Sequence, residues 1–190
     1  MNRHPALLSR ETSLLVVVDM QETFLNVMYD RAGLTRNVSL LCHAAQILNI
    51  PILSTTQYAE RMGATVPEVR EAMGPDAAPA IDKMCFSCAG SALFTDALNS
   101  WVAQGRKQIV LCGLETHICV SQTAHDLLHA GYPAHVAVDA VGARTVEKHK
   151  LGMERIRDAG ILPCAAEAAV YEWLYEAGTP EFKAILKHIK

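Results

Sequence analysis

The sequence contains no long apolar segment and no cluster of basic residues. Its apolar runs are far shorter than the roughly 20 residues that a transmembrane helix needs, so we expect no membrane association. No stripe of arginines occurs, and the formal net charge is -3 over 190 residues. Nucleic-acid-binding domains carry a basic patch or stripe. We therefore expect no nucleic acid as a partner.

Two further features that are scarce or missing concern the cellular compartment. The first residues, MNRHPALLSRETS, contain no apolar segment followed by a small-residue cleavage site, so we expect a cytoplasmic location. Cysteine is too sparse for a disulfide scaffold, which favours a reducing compartment. The six cysteines are Cys42, Cys85, Cys88, Cys112, Cys119 and Cys164.

Apolar runs alternate with amphipathic stretches about six times along the chain. With 51% hydrophobic residues, the sequence predicts one domain, 1–190, with a sizeable core. Alternating strands and helices predict a doubly wound, mostly parallel six-stranded sheet with helices on both faces. The strands are predicted at 14–18, 51–56, 80–84, 109–112, 134–138 and 161–162, and the main helices at 37–47, 91–102, 116–130, 147–159, 167–175 and 180–189.

The stretch KQIVLCGLETHICVSQT (107–123) predicts a strand, a turn and a helix. The apolar run is typical of a buried parallel strand, Gly113 allows a sharp turn, and Thr116 is a candidate N-cap. Cys119 would then lie in the first turn of the helix, where unpaired N–H groups favour the nucleophilic thiolate. The alternative is a small, buried apolar residue without function.

Two charged residues stand at the ends of other predicted strands. Asp19 follows LLVVV and Lys83 ends a short strand. Since the carboxyl ends of parallel strands meet at one edge of a sheet, both are expected close to Cys119. A thiol nucleophile, a general base and a cation form a catalytic constellation. The alternatives are an aspartate that caps a turn and an exposed lysine on an edge strand.

A pocket at the same edge would be shaped by further side chains. They mix apolar walls with a few hydrogen-bonding groups, which suits a small planar or amide-bearing substrate. The segment 59–78, with a short possible helix near 66–73, could be a pocket wall or a plain surface loop. The predicted substrate-binding residues are Gln21, Phe24, Gln57, Tyr58 and Phe86.

The segments LLVVVDMQETF, KMCFS and GLETHICVSQTA, in this order and spacing, resemble the isochorismatase-like cysteine hydrolase family. The similarity covers nearly the whole chain, and it is strongest to the isochorismatase domain-containing proteins. It implies a Rossmann-like fold and a triad of Asp19, Lys83 and Cys119. It also implies a cis peptide bond at Leu114–Glu115, with the N–H groups of Glu115 and Cys119 as an oxyanion hole. The implied reaction is hydrolysis of a small amide or ester through a thioester.

The metal-binding motif of the nicotinamidases in this family is missing. The corresponding segment, TTQYAERMG, contains neither histidine nor aspartate. We therefore expect no catalytic metal, no cofactor and no nicotinamide substrate.

Other interpretations remain open at this point. The CFSC segment (Cys85, Cys88) could indicate a thiol-redox or peroxide-reacting protein; a zinc site lacks a second ligand pair, and a Cys119–His117 dyad is disfavoured by their spacing. A non-catalytic oligomeric protein is the third alternative. The last helix has an apolar face that could pack on the domain or on another subunit, and we expect a homo-oligomer; this face comprises Phe182, Ile185, Leu186 and Ile189.

Overall fold

The computed structural model describes residues 3–189, which contain one six-stranded sheet. Every neighbouring pair of strands is parallel, and the order is β3-β2-β1-β4-β5-β6. The order in which strands are added therefore reverses between β1 and β4. Doubly wound folds place their binding crevice at such a point. The predicted fold class is confirmed. The strands are β1 Ser13–Val18, β2 Ile52–Gln57, β3 Ile81–Lys83, β4 Gln108–Leu114, β5 Ala134–Gly142 and β6 Leu162–Cys164.

Helices connect the strands and cover the sheet. A short 3-10 turn spans Cys88–Gly90, and a π-helical turn spans Thr116–Val120. The α-helices are α1 Glu22–Leu25, α2 Arg31–Ile47, α3 Ala59–Met62, α4 Pro67–Ala72, α5 Ala92–Ala103, α6 Ser121–His129, α7 Val146–Asp158, α8 Ala166–Leu174 and α9 Pro180–Ile189. Among the helices of residues 3–189, none is long and apolar enough to cross a membrane.

Successive residues of β1 face two separate hydrophobic cores. Leu15 and Val17 belong to the core beneath α2, α8 and α9, whereas Leu14 and Val16 belong to the core beneath α5, α6 and α7. All six residues of β1 are buried. A parallel strand that is covered on both faces needs a continuous apolar run, which explains LLVVV.

The apolar face of α9 packs on the domain itself. Ile185 is fully buried in the core beneath α2, and Phe182 and Ile189 pack against the same core. Of the two expectations for this helix, the structure shows intramolecular packing. The apolar face of α9 therefore provides no argument for an oligomer.

Several elements are longer than predicted, and the largest differences are in α2 and β5. α2 begins at Arg31 because the Asp30 side chain caps it, accepting a hydrogen bond of 3.0 Å from the Gly33 N–H. β5 continues to Gly142 after a register shift in its pairing with β4. Asp139 consequently lies inside β5, not at its end, and its carboxylate accepts a hydrogen bond from the Ala166 N–H.

Candidate active site

Asp19 follows β1 directly and has a left-handed backbone, with a φ of 49°. Its side chain is almost completely buried, with 1% of the residue exposed. Oδ1 accepts a hydrogen bond of 2.7 Å from the Thr55 hydroxyl, and Oδ2 accepts one of 2.7 Å from Nζ of Lys83. These two hydrogen bonds offset the free-energy cost of burying the carboxylate.

Lys83 is the last residue of β3, opposite Gln57 in the register with β2. Its ammonium group contacts Asp19 and Oε1 of Gln57 (2.8 Å), together with the carbonyl oxygens of Cys85 (3.3 Å) and Phe86 (3.2 Å). The side chain is fully buried, so the exposed edge lysine is excluded. Burial would lower the pKa of Lys83, but the attraction and hydrogen bond of Asp19 outweigh burial and raise it above its ordinary value.

Gly113 allows β4 to lie close to the end of β1. It has a φ of 108°, and a Cβ added to it would lie 2.1 Å from the carbonyl oxygen of Val18. Only glycine fits this backbone without a shift. This close approach brings the segment after β4 next to Asp19.

Cys119 lies in the π-helical turn that precedes α6, not in the first turn of the α-helix. Thr116 is the first residue of that turn and is no N-cap; its hydroxyl lies 3.0 Å from Nδ1 of His149. The predicted strand–turn–helix is therefore present, but the local geometry at the cysteine differs. The sequence pattern could not distinguish an α-turn from a π-turn.

The environment of Cys119 favours the thiol over the thiolate. Burial raises the pKa of Cys119 to about 12, and the Asp19 carboxylate adds to the increase, while Lys83 opposes it. The prediction of a thiolate stabilised by a helix N-terminus was wrong, because burial and a neighbouring carboxylate dominate. Attack by this cysteine requires a base that removes the thiol proton, and Asp19 lies in the same pocket.

A small cavity of about 70 Å³ joins these groups. Its walls are largely apolar, and two carboxylates, one amide and the thiol supply the polar groups. Of the predicted substrate-binding residues, Phe24, Gln57 and Phe86 contribute to the lining. The lining residues are Asp19, Phe24, Gln57, Phe86, Leu114, Glu115, Ile118 and Cys119. Within the described residues 3–189, no cationic side chain lines this cavity.

Gln21 and Tyr58 lie outside the lining of the cavity. Gln21 is fully buried and acts as a clamp: its Nε2 donates to the carbonyl oxygens of Gln57 (3.1 Å) and Gly63 (2.7 Å), while Oε1 accepts from the Gln57 N–H (2.7 Å). Tyr58 adopts a left-handed backbone before α3, with a φ of 48°. Gln21 therefore holds the segment that follows β2 in place, and Tyr58 is the first residue of that segment.

Gln57 lines the cavity, but both ends of its amide are engaged. Oε1 accepts from Lys83, and Nε2 donates 2.9 Å to the carbonyl oxygen of Met84. Its polar atoms therefore hold the Lys83 ammonium group and the loop that follows β3. The surface that remains for a ligand is mainly that of its aliphatic stem.

The peptide bond between Leu114 and Glu115, the one that the resemblance points to, is cis. Both residues line the cavity next to Cys119. The Glu115 carboxylate forms an ion pair of 3.1 Å with Nε of Arg144. Arg144 is 45% exposed at its side chain, so this pair lies at the rim of the site.

The sequence pointed to neither Ile118 nor Thr55, and it pointed to Leu114 only through the expected cis peptide bond. Ile118 precedes Cys119 and could have been found from that position alone. Thr55 is one of several hydroxyl residues in PILSTT, and no signal in the sequence distinguishes it from Ser54 or Thr56. Only the neighbouring strand shows which hydroxyl faces Asp19.

Within residues 3–189, the remaining cysteines and histidines form neither a disulfide nor a cluster of metal ligands. All six cysteines are free, and burial raises the pKa of Cys88 to about 11. Within the described part of the chain, no group of three or more potential ligand residues could hold a metal ion. Nδ1 of His117 is buried without a hydrogen-bond partner among residues 3–189. These positions give no support to a zinc site or a Cys119–His117 dyad.

Comparison with known proteins identifies the family. The isochorismatase domain model matches residues 13–168. The secreted isochorismatase effector Isc1 of Phytophthora sojae is 39% identical over 181 residues, covering 94% of this chain and 85% of that protein. Mouse isochorismatase domain-containing protein 2A is 34% identical over 183 residues, covering 95% and 84%.

Solved structures agree in fold. The structure of MAR1 ribonuclease from Caenorhabditis elegans has a TM-score of 0.87 at 31% identity, covering 96% of this chain and 91% of that one. The YcaC gene product of Escherichia coli, described as an octameric hydrolase of unknown specificity, has a TM-score of 0.88 at 22% identity, covering 98% and 92%. The chain belongs to the isochorismatase family.

Proposed function

We propose that this member of the isochorismatase family is a cysteine hydrolase that cleaves a small, uncharged amide or ester through a thioester intermediate. The observation that carries the proposal is the meeting of Cys119 with the buried Asp19–Lys83 pair at one cavity. A thiol, a base and a compensating cation are the groups that nucleophilic catalysis requires.

The reaction starts from the protonated thiol of Cys119 and the carboxylate of Asp19 that is paired with Lys83. Asp19 removes the proton of the Cys119 thiol as Sγ attacks the carbonyl carbon. The carbonyl oxygen becomes an oxyanion, for which the N–H groups of Glu115 and Cys119 are the proposed donors. The C–N or C–O bond then breaks, and Asp19 delivers the proton to the leaving nitrogen or oxygen. Proton transfer of this kind contributes roughly 10²–10⁴-fold to a rate.

The second half of the reaction regenerates the enzyme. Asp19 takes a proton from a water molecule that attacks the thioester carbon. The C–S bond breaks, the carboxylic acid leaves, and Cys119 recovers its proton from Asp19. Lys83 compensates the charge of Asp19 throughout, because its ammonium group stays in contact with that carboxylate. The other acceptors hold the ammonium group in place, and Lys83 does not line the cavity.

The charge of the cavity supports an uncharged substrate. Both acidic residues of its lining are paired, Asp19 with Lys83 and Glu115 with Arg144, and within residues 3–189 no cationic residue lines the cavity. A dicarboxylate such as isochorismate, or an RNA phosphate, would therefore find no cationic side chain in the lining to pair with its charge. The names of the Phytophthora and Caenorhabditis relatives therefore describe reactions that this cavity suits less well than hydrolysis of a neutral compound.

The size of the cavity supports a small acyl group. Its volume of about 70 Å³ is well below the roughly 300–1,000 Å³ of pockets that enclose drug-sized ligands. The leaving group would extend past Phe86, which is 56% exposed.

The assembly of the protein is a related proposal. Met84, Phe86 and Leu93 are large apolar residues that are 64%, 56% and 68% exposed. Phe86 also lines the cavity. Exposed apolar patches are typical of a protein interface, and one solved structure of the same fold is described as octameric. We propose a homo-oligomer, which light scattering on the purified protein tests. A cytoplasmic location stays a prediction from the sequence, and the Phytophthora relative is named as secreted.

The test is intact-protein mass spectrometry after brief incubation with a panel of small neutral amides, carbamoyl compounds and esters. We expect an adduct of the acyl mass on Cys119 that is missing in Cys119→Ala. Isochorismate, a short RNA and hydrogen peroxide serve as separate arms. Turnover of any of these three that persists in Cys119→Ala, without an adduct from the neutral panel, would contradict the proposal.

A further inference from the structure

A buried hydroxyl on the neighbouring strand contacts the proposed general base. Thr55 lies in β2 and is 1% exposed. Its Oγ1 donates 2.7 Å to Oδ1 of Asp19, while Nζ of Lys83 donates 2.7 Å to Oδ2. Each oxygen of the carboxylate therefore has one strong donor of its own, and the two donors come from adjacent strands.

We propose that Thr55 is a positioning residue, which holds the Asp19 carboxylate in the orientation and the ionised state that proton exchange with Cys119 requires. This inference rests on the proposed function. Thr55 does not line the cavity, so its effect on the reaction passes through Asp19 and not through a contact with the substrate.

The direction of the hydrogen bond follows from the chemistry of the two groups. An ionised carboxylate can only accept, and a threonine hydroxyl has a single proton to donate. The proton of Thr55 is therefore committed to Asp19. The lone pairs of its oxygen remain, and Sγ of Cys88 lies 3.8 Å from that oxygen as a weak S–H donor.

The side chain of Thr55 can be tested separately from its backbone. The carbonyl oxygen of Thr55 accepts a hydrogen bond of 3.2 Å from the Asp19 N–H. This backbone contact persists in any substitution and keeps the end of β1 in place. Thr55→Val, which has nearly the same shape, removes the hydroxyl and leaves Oδ1 of Asp19 without its donor.

Loss of this donor has two expected consequences. A hydrogen bond to the charged form favours that form, so its removal makes the ionised carboxylate less favourable. The carboxylate also loses one of the two contacts that prevent it from rotating. The rate should fall at neutral pH, and the acid limb of the rate profile should move to higher pH.

The next residue of the strand provides a matched control. Thr56 is also buried, and its hydroxyl donates 3.0 Å to Oδ1 of Asp82, a carboxylate that does not line the cavity. Thr56→Val therefore removes the same kind of hydrogen bond from the same strand. Thr55→Ser restores the hydroxyl at the site itself, and Thr55→Ala provides a second deletion of the hydroxyl if the valine variant does not fold.

The first measurement is kcat and KM across the acid to neutral range, with a neutral substrate identified by the acyl-adduct screen. For Thr55→Val we expect kcat to fall roughly tenfold and the acid limb to rise by about one pH unit, since the loss of one hydrogen bond to a charged group has about that effect. KM should stay the same. Thr55→Ser and Thr56→Val should both resemble the wild type in kcat and in the acid limb.

The second measurement needs no turnover. A carbon-13 NMR titration follows the carboxyl carbon of Asp19, assigned by its absence in Asp19→Asn, in the wild type and in Thr55→Val. We expect the midpoint to move to higher pH in the variant. A shifted midpoint without any hydrolysis would support the role of Thr55 while rejecting the hydrolase. Unchanged kcat and midpoint in Thr55→Val, or an equal loss in Thr56→Val, would overturn the inference.

Discussion

Nζ of Lys83 lies 2.7 Å from Oδ2 of Asp19, and both side chains are shielded from solvent. An ion pair buried this completely gains little net stability over apolar packing, but removal of one partner leaves an uncompensated charge. The Lys83–Asp19 pair is therefore expected to affect both the stability of the fold and the reaction at the site. Its loss should be visible in unfolding experiments even before a substrate is known.

Lys83→Met should lower the free energy of unfolding by about 3–5 kcal/mol, because the Asp19 carboxylate would remain buried without its cation. Urea denaturation measures the change. Lys107→Met is the control, since Lys107 is an exposed lysine on the same chain. Equal stability of the two variants would show that Lys83 does not compensate a buried charge on Asp19.

Cys119→Ala should abolish hydrolysis, with a loss of at least about 10³-fold, because the nucleophile of a catalytic unit is removed. The fold should persist, since a small apolar residue fits this buried position. Cys164→Ala, a partly buried cysteine of β6, is the control. Turnover is measured on the substrate found by the acyl-adduct screen, and wild-type activity in Cys119→Ala would mean that another group is the nucleophile.

The alkylation of Cys119 by iodoacetamide should accelerate steadily as the pH rises. Burial raises the pKa of Cys119 to about 12, so the thiolate fraction grows roughly tenfold for each pH unit between neutral pH and that value. Peptide mapping after timed quenching gives the rate at this residue. In Lys83→Met the pKa should rise further, because Lys83 lowers it, and alkylation should slow. A rate that levels off near neutral pH would contradict this environment.

His135 should make the protein sensitive to acid. It lies in β5 with 2% exposed, and burial lowers its pKa from 6.5 to about 4. The unfolded chain binds the proton more readily than the folded one. Burial of His135 therefore costs no stability from protonation above about pH 6.5, and the free energy of unfolding falls as the pH is lowered from there toward 4. The loss amounts to about 3 kcal/mol at most.

His135→Leu should remove this acid sensitivity. Nε2 of His135 has no hydrogen-bond partner among the described residues, so the substitution breaks no hydrogen bond at that atom. The measurement is urea denaturation at neutral and acidic pH, with the exposed His129 replaced by leucine as the control. Wild-type acid sensitivity in His135→Leu would assign the effect to other groups.

Chelation by EDTA should leave hydrolysis unchanged. The proposed reaction uses a thiol, a carboxylate and an ammonium group, and none of its steps needs a Lewis acid. Activity is measured before and after dialysis against the chelator, and again after addition of zinc. A loss that zinc restores would indicate a metal-dependent reaction.

Several features of the protein could be predicted from the sequence because they depend on local pattern. Apolar runs of β-branched residues determine where β1, β2 and β4 lie, since strands covered on both faces must be apolar throughout. The order of strands and helices determines a parallel, doubly wound sheet. Given that sheet, Asp19, Lys83 and Cys119 must approach one edge, as they do.

Other features were decided by the tertiary structure, because they depend on what surrounds a residue. Burial and the Asp19 carboxylate raise the pKa of Cys119, and the local sequence around the cysteine reveals neither of them. Strand register decides that Gln57 faces Lys83, and the packing of β1 against β2 decides that Thr55 contacts Asp19. A hydroxyl or an amide has the same local signal whether it binds a substrate, a lysine or a turn, so only its neighbours in space determine its role.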